Sequence, residues 1–396
     1  MKRVIIAGVG PGSKSCLTEE VKEAIDNSEV LIGSKRLIEE YTDKKTFYAV
    51  TAKDIIDIID NENANNYVVL MSGDTGFYSG AKKLAEVLAG KYEYSIMAGV
   101  SSVIYLAAKI GKSWENAAFV SLHGKKQSYI PVVLQNELTY FLTQGNVSQI
   151  CQELYRAGLG QAHIWIGENL SYDNEKITNG NVSEFTEYIS EGLTVLAVYN
   201  EHSRAFSITG IADSSFIRSD VPMTKREIRA SVVSRMAVSK NSCVYDIGAG
   251  TGSVTVELAL HALYGTVYAV ERTEEGCSLI AKNAEKFGLN NIEIIHCNAG
   301  AVIDSLPLPD KVFIGGSGGE LEYIFSSILK KNPYVHIVVT AVTLETLNNT
   351  ISLMEKNGMN VLDIVQIAVT EVKKRGRYHM MSANNPVFII EGRGAK

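Results

Sequence analysis

The sequence is short of several features that would decide its class at once. It has five cysteines in 396 residues, Cys16, Cys151, Cys243, Cys277 and Cys297, none in a C-x-x-C arrangement. Neither a disulfide framework nor a structural zinc site is indicated, and no metal site is expected. Proline is scarce, 7 residues against 33 glycines, which excludes Pro-rich linkers and collagen and leaves glycine to make the turns. No apolar run reaches the roughly 18 residues of a membrane span. The start Met1-Lys2-Arg3 followed by Val4–Val9 imitates a secretory signal, but the run is short and ends in Gly8-Val9-Gly10-Pro11-Gly12, not in a small-residue cleavage site. A cytoplasmic location with reduced thiols is expected. Excess positive charge is missing too: 38 Lys+Arg against 44 Asp+Glu give −6, so no global field favours nucleic acid or an anionic membrane. A polyanionic ligand must be met by a local basic cluster.

What is present is a globular composition, 46% hydrophobic and 21% charged, in a chain long enough for two domains. Short apolar runs at Val4–Ala7, Val30–Ile32, Tyr67–Met71 and Tyr94–Met97 alternate with helical stretches such as Thr18–Ile25, the rhythm of a parallel sheet with crossover helices. Ala118–Leu122, Thr139–Leu142, His163–Ile166 and Leu193–Val198 read as a second sheet in a distinct subdomain. The rhythm lapses between 205 and 222, read as a linker between domains 1–204 and 223–396. The second half resumes with an amphipathic helix over Thr224–Ala237. Strands follow at Cys243–Ile247, Thr266–Val270, Ile292–His296, Lys311–Ile314, His336–Val339, Asp363–Val369 and Pro386–Ile390. The expected fold class is α/β, with a doubly wound, Rossmann-like seven-stranded sheet and an antiparallel edge in the second half.

The strongest local signal is Val244-Tyr245-Asp246-Ile247-Gly248-Ala249-Gly250-Thr251-Gly252-Ser253, where a strand closes on an acid and three glycines turn into a helix. Glycines there let backbone approach a ligand closely. The spacing is G-x-G-x-G, not the dinucleotide G-x-G-x-x-G, and a carboxylate at Asp246 would repel a pyrophosphate but suits the ammonium and sulfonium of S-adenosylmethionine. An NAD-dependent oxidoreductase is the weaker reading. Glu271, at the end of the next strand, is placed for ribose hydroxyls in either case. Asn298 and Ala299, after the third strand, are candidates for the adenine. After the fourth strand, Gly315-Gly316-Ser317-Gly318 stands where amino-group methyltransferases carry a polar-Pro-Pro-aromatic loop. That absence points away from amine methylation and leaves a floor for a large flat substrate.

These motifs are recognisable. Asp246–Leu258, Gly315–Leu321, Thr340–Glu345, Tyr378-His379-Met380 and Asn385–Ile389, with the leading Met223–Arg229, resemble the decarboxylating precorrin methyltransferase domain of cobalamin biosynthesis. The first half resembles the tetrapyrrole methylases, through Gly8–Gly12, Gly33-Ser34-Lys35-Arg36, Ser72-Gly73-Asp74, Gly99-Val100-Ser101-Ser102, Ser121-Leu122-His123-Gly124 and Gly167-Glu168-Asn169-Leu170. Thr75 and Ala98 depart from that pattern, since proline is frequent at both places. The order of the halves is that of fused precorrin methyltransferases.

The resemblance implies a two-subdomain tetrapyrrole methylase fold followed by a class I methyltransferase, each with its own S-adenosylmethionine site, and self-association. It implies methylation of carbon-5 by the first half and of carbon-15, with loss of the ring C acetate carboxylate, by the second. A ligand-sensing protein without turnover is the alternative. In the first half it assigns Gly73, Asp74, Ser101 and Ser102 to the cofactor, with both serines also able to act as helix caps. Gly10, Pro11 and Gly12 fall to the substrate cleft. His123 and Asp74 are the titratable candidates for proton handling in this half. In the second it assigns Asp246, Gly248, Gly250, Thr251, Gly252, Glu271, Asn298 and Ala299 to the cofactor, and Thr224, Lys225, Arg229 and residues Gly315, Gly316, Ser317 and Gly318 to the substrate. The basic stretch Lys373–Arg377 offers Arg375 and Arg377 to substrate carboxylates, although charge runs are often solvated faces, and Tyr378 and His379 are its proton-handling candidates.

Overall fold

The apolar runs of the first half are buried strands. β1 (Arg3–Gly8), β2 (Val30–Gly33), β3 (Lys45–Tyr48), β4 (Asn66–Met71) and β5 (Glu93–Met97) pair in parallel in the order β3-β2-β4-β1-β5. A computed structural model describes residues 2–122 and 127–395 of the chain. Val4, Ile6, Leu31 and Ile32 are fully buried, because crossover helices cover both faces of the sheet. The first of these helices, Glu19–Asp26, shows how the local sequence sets its start. The Thr18 side chain accepts from the Val21 amide, Glu19 and Glu20 face the positive end of the helix, and Val21, Ala24 and Ile25 form the buried stripe.

β6 (Ala118–Ser121), β7 (Leu138–Leu142), β8 (His163–Glu168), β9 (Lys176–Asn181) and β10 (Thr194–Tyr199) form a second, mixed sheet in the order β6-β7-β10-β8-β9. Only β6 and β7 run parallel; β10 and β9 are antiparallel to their neighbours. These two sheets make up the first compact unit, residues 2–122 and 136–203. β3 and β9 carry no period-2 apolar signal in the sequence. Both are sheet-edge strands without a fully buried residue.

The second unit comprises residues 204–395 together with 127–135. Its sheet is built from β11 (Cys243–Ile247), β12 (Thr266–Glu271), β13 (Ile292–His296), β14 (Lys311–Ile314), β15 (His336–Ala341), β16 (Asn360–Ile367) and β19 (Val387–Arg393). Between the last two lies a separate two-stranded ribbon, β17 (Thr370–Arg375) and β18 (Tyr378–Ala383). The order is β13-β12-β11-β14-β15-β19-β16, parallel through β15. β19 is the strand that reverses, and it lies one place in from the edge, antiparallel to both β15 and β16. Ile389 and Ile390 of β19 are wholly buried whereas β16 is largely exposed, so burial decides which of the two takes the inner place.

Two segments depart from a simple two-halves reading. Residues 205–222, expected as a linker, are an ordered strap on the second unit, with Ile211 and Phe216 buried in its core. Its anchor is a buried charge cluster. Glu257, on helix Ser253–His261, accepts from the amides of Gly210 (2.8 Å) and Ile211 (2.9 Å) and from Arg229 Nε (2.6 Å). Residues 127–135 leave the first half of the sequence and pack on the second unit. Ser128 Oγ sits 2.7 Å from Asn291 Oδ1 and accepts from the Asn290 amide at 3.0 Å. Gly288 (φ +64°) makes room for Ile130, whose side chain a Cβ there would meet at 2.5 Å.

Candidate active sites

In the second unit the loops after β11, β12, β13 and β14 converge at the carboxyl ends of the parallel strands, where α/β sheets bind ligands. They enclose a cavity of about 590 Å³, within the range for a cofactor-sized ligand. Gly248 (φ +74°) is required by close approach. A Cβ there would lie 2.5 Å from the Gly316 carbonyl oxygen, so the first and fourth loops pack backbone to backbone. Gly250 (φ +56°) likewise faces the Pro222 carbonyl, 3.1 Å from a would-be Cβ, which places the strap over the glycine loop as a cavity wall. Asn283, fully buried, fixes both. It accepts from the Ile217 amide (2.8 Å) and donates to the carbonyls of Ile217 (3.0 Å) and Thr251 (2.9 Å).

The carboxylates of the site differ in state. Glu271 lies on the cavity wall and accepts from the Gly250 amide (2.9 Å), the Thr273 amide (2.9 Å) and the Thr273 hydroxyl (2.8 Å). Burial alone would raise its pKa, but these donors outweigh burial and hold it below the usual carboxylate value. Asp246 is completely buried behind the loop. One oxygen accepts from the Thr255 hydroxyl at 2.5 Å and the other, Oδ1, has no hydrogen-bond partner. Burial pushes its carboxyl up to about 7, with the Glu271 charge adding to the rise and the Thr255 hydroxyl opposing it. A buried acid with an orphaned oxygen beside an ionised one is a site short of positive charge. The ammonium and sulfonium of S-adenosylmethionine supply it, so the residues present fit that cofactor.

The cavity brings together Gly248, Gly250, Glu271, Asn298 and Ala299 with Thr224, Lys225, Gly315, Gly316, Ser317 and Gly318. Thr251 and Gly252 lie behind the loop with Asp246. Arg229, expected at the substrate, is instead in the core with no exposed surface. It stacks 4.6 Å from the Phe216 ring centroid, pairs with Glu257 and with Asp213 (3.1 Å), and donates to the Thr224 carbonyl (2.7 Å). Arg375 and Arg377 lie at the tip of the β17–β18 ribbon, whose two-residue turn opens with Gly376 (φ +60°). Tyr378 and His379 begin β18, are exposed and do not line the cavity. The wall also holds Arg272, Cys297, Glu320 and Asn385, to which the sequence reading gave no role. Each had a positional signal: Arg272 follows Glu271, Cys297 precedes Asn298, and Glu320 and Asn385 lie in motifs that carry the resemblance.

In the first unit the corresponding strand ends carry three mutually packed glycines. A Cβ on Gly8 would lie 2.6 Å from the Gly99 amide, and one on Gly99 would lie 2.4 Å from the Gly73 carbonyl. Gly10 and Gly73 exchange backbone hydrogen bonds of 3.1 and 2.8 Å. Asp74 joins these loops by accepting from Gly99 (3.2 Å) and Gly76 (2.9 Å) amides. Ser101 is buried and caps helix Ser102–Ile110 through the Val103 amide (3.3 Å), with Ser102 as the first helical residue. Pro11 is buried, and Gly12 (φ +152°) lies against the Tyr172 ring. His123 lies outside the described residues.

Comparison with known proteins matches a family to each half of the sequence. Residues 215–392 match the precorrin methyltransferase domain and residues 3–186 the tetrapyrrole (corrin/porphyrin) methylases. A probable cobalt-precorrin-6B C(15)-methyltransferase (decarboxylating) of Saccharolobus solfataricus is 41% identical over 194 residues, covering 47% of this chain and 96% of the relative. The chain is a fused precorrin methyltransferase. A precorrin-6Y C(5,15)-methyltransferase [decarboxylating] of Sinorhizobium is 26% identical across 85% of this chain and 84% of its own length. A crystal structure of the Geobacter metallireducens precorrin-6y C5,15-methyltransferase has 34% identity, covering 48% of this chain and 98% of that one, with a TM-score of 0.45. As a fused precorrin methyltransferase the protein is S-adenosylmethionine-dependent. Among the described residues no helix is long and apolar enough to cross a membrane.

Proposed function

We propose that the fused precorrin methyltransferase methylates carbon-5 of a precorrin-6-type macrocycle with its first unit, and methylates carbon-15 and removes the ring C acetate carboxylate with its second. The observation that carries the reading is the second unit's cavity, where the ionised Glu271 and the glycine loop face the open floor of Gly315–Gly318. A cavity of about 590 Å³ is of the size that small-molecule ligands and cofactors take. The order and names of the matched relatives support the two reactions.

The cofactor supplies an electrophilic methyl group, and the chain's residues position it. Glu271 accepts ribose hydroxyls, Asn298 and Ala299 border the adenine, and the Gly248–Gly250 backbone with Asp246 behind it receives the amino-acid end. Thr224 and Lys225 present the substrate from the strap side. Methyl transfer to an electron-rich ring carbon needs proximity and orientation more than a strong base. In the decarboxylation the electron pair of the breaking carbon–carboxylate bond enters the conjugated ring and the carbon takes up one proton. Incubation with S-adenosylmethionine and a precorrin-6-type substrate tests the reading. A product heavier by two methyl groups and lighter by one carbon dioxide is expected, and a product with neither change would refute it.

A further inference from the structure

Arg36 in the first unit is an arginine with neutral partners. It lies on the short helix Lys35–Ile38 directly after β2, at the carboxyl end of the parallel sheet. The Gly10–Gly12 loop after β1 and the Ser72–Asp74 loop after β4 emerge at the same end. Its guanidinium donates to the Tyr172 hydroxyl and to Ser72 Oγ (3.0 Å), and lies 5.9 Å from the centre of the Tyr172 ring. Among the described residues no carboxylate pairs with it. Glu40 borders the same small hollow as Arg36, Gly12 and Lys14 but is 3.7 Å from the Lys14 ammonium.

Tyr172 reaches this place from the loop after β8, which crosses from the second sheet. Asn169 (φ +46°) and Ser171 (φ +72°) adopt left-handed backbone without being glycine, a conformation that costs energy and persists only when held. Asn169 is tied to Leu193, whose amide it accepts at 3.3 Å, and a chain of contacts holds Ser171. Ser13 donates its amide to Ser171 Oγ (3.0 Å), Ser171 donates its amide to Glu175 (2.7 Å), and Glu175 pairs with Lys109 (2.8 Å). The Tyr172 ring in turn takes the space that a side chain at Gly12 would fill. A strained loop thus delivers one neutral hydroxyl to a guanidinium at the ligand end of the sheet. Exchanging that hydroxyl for a carboxylate replaces a neutral acceptor with a charged one that the planar fork can bind bidentately, adding an ion pair and a second parallel bond.

We propose that Arg36 binds a carboxylate of the macrocycle in the first unit, and that the Tyr172 hydroxyl occupies its place until the substrate displaces it. The inference rests on the reading of the first unit as a tetrapyrrole C-methyltransferase. The competing role for Arg36 is structural, to clamp the 169–175 loop through Tyr172. The two roles separate in a pair of variants of the full chain, assayed for carbon-5 methylation with matched melting curves. Arg36→Gln, which keeps donors for the hydroxyls but loses the charge, should raise KM by about tenfold to a hundredfold with kcat within about twofold. Tyr172→Phe, which removes the competing hydroxyl, should leave KM at or below that of the unaltered chain. Equal increases in KM for both variants, or an unmoved KM in Arg36→Gln, would overturn the proposal. Absence of carbon-5 methylation by the unaltered chain would instead refute the reading beneath it.

Discussion

Asp246 is a buried acid whose folded state couples stability to pH. In the unfolded chain its carboxyl loses its proton near 4, whereas burial raises the folded value to about 7. The folded, unliganded protein therefore binds more protons than the unfolded one between those values, so its stability falls as pH rises from about 4 to about 7 and stays reduced above. Asp246→Asn keeps the shape without the charge. It should melt several degrees above the unaltered chain at pH 8 without cofactor, the difference vanishing towards pH 4. A variant that melts lower at pH 8 would show that the orphaned oxygen is satisfied by something other than cofactor. The sequence held the identity of this acid and its two-residue spacing before Gly248, but not its protonation. That depends first on burial, which the fold alone decides, and then on Thr255, nine residues on, and the Glu271 charge.

At the scale of elements, the helix Arg226–Met236 and the strap before it illustrate where pattern reading succeeds and where it fails. The helix was legible from its apolar spacing, and the basic residues of its first turn looked like a carboxylate-binding face. Arg229 instead turns inward, because Glu257 on the neighbouring helix is also buried and each charge needs the other. No local pattern announces such a pair, since its members are 28 positions apart. Arg229→Ala should destabilise the second unit by roughly 3–5 kcal/mol, the usual cost of stranding a buried charge, as read by urea unfolding. Protein that remains folded should keep its KM for the macrocycle. A normal unfolding midpoint with a raised KM would return Arg229 to the substrate. The β17–β18 ribbon escaped notice for the opposite reason: an exposed two-stranded ribbon buries neither face, so its strands carry no alternation, and Lys373, Lys374 and Arg375 read as a charge run when they form a strand.

For the whole molecule, the two-part architecture was visible in the sequence as two successive alternations of strand and helix with different glycine loops. The boundary was less so. Polar residues between 205 and 222 suggested a tether, yet they bury Ile211 and Phe216 on the second unit. The 127–135 segment belongs to the second unit while lying inside the first half of the sequence, and its cue, a lone Gly288 opposite Ile130, is a matter of contact. The central claim is that each unit carries its own reaction. The most direct test is the mass of the product formed from a precorrin-6-type substrate and S-adenosylmethionine by the Asp246→Asn protein. One methyl group gained, at carbon-5, with the ring C carboxylate retained, is the result expected. Loss of both methylations in a folded protein, or retention of both, would contradict the account.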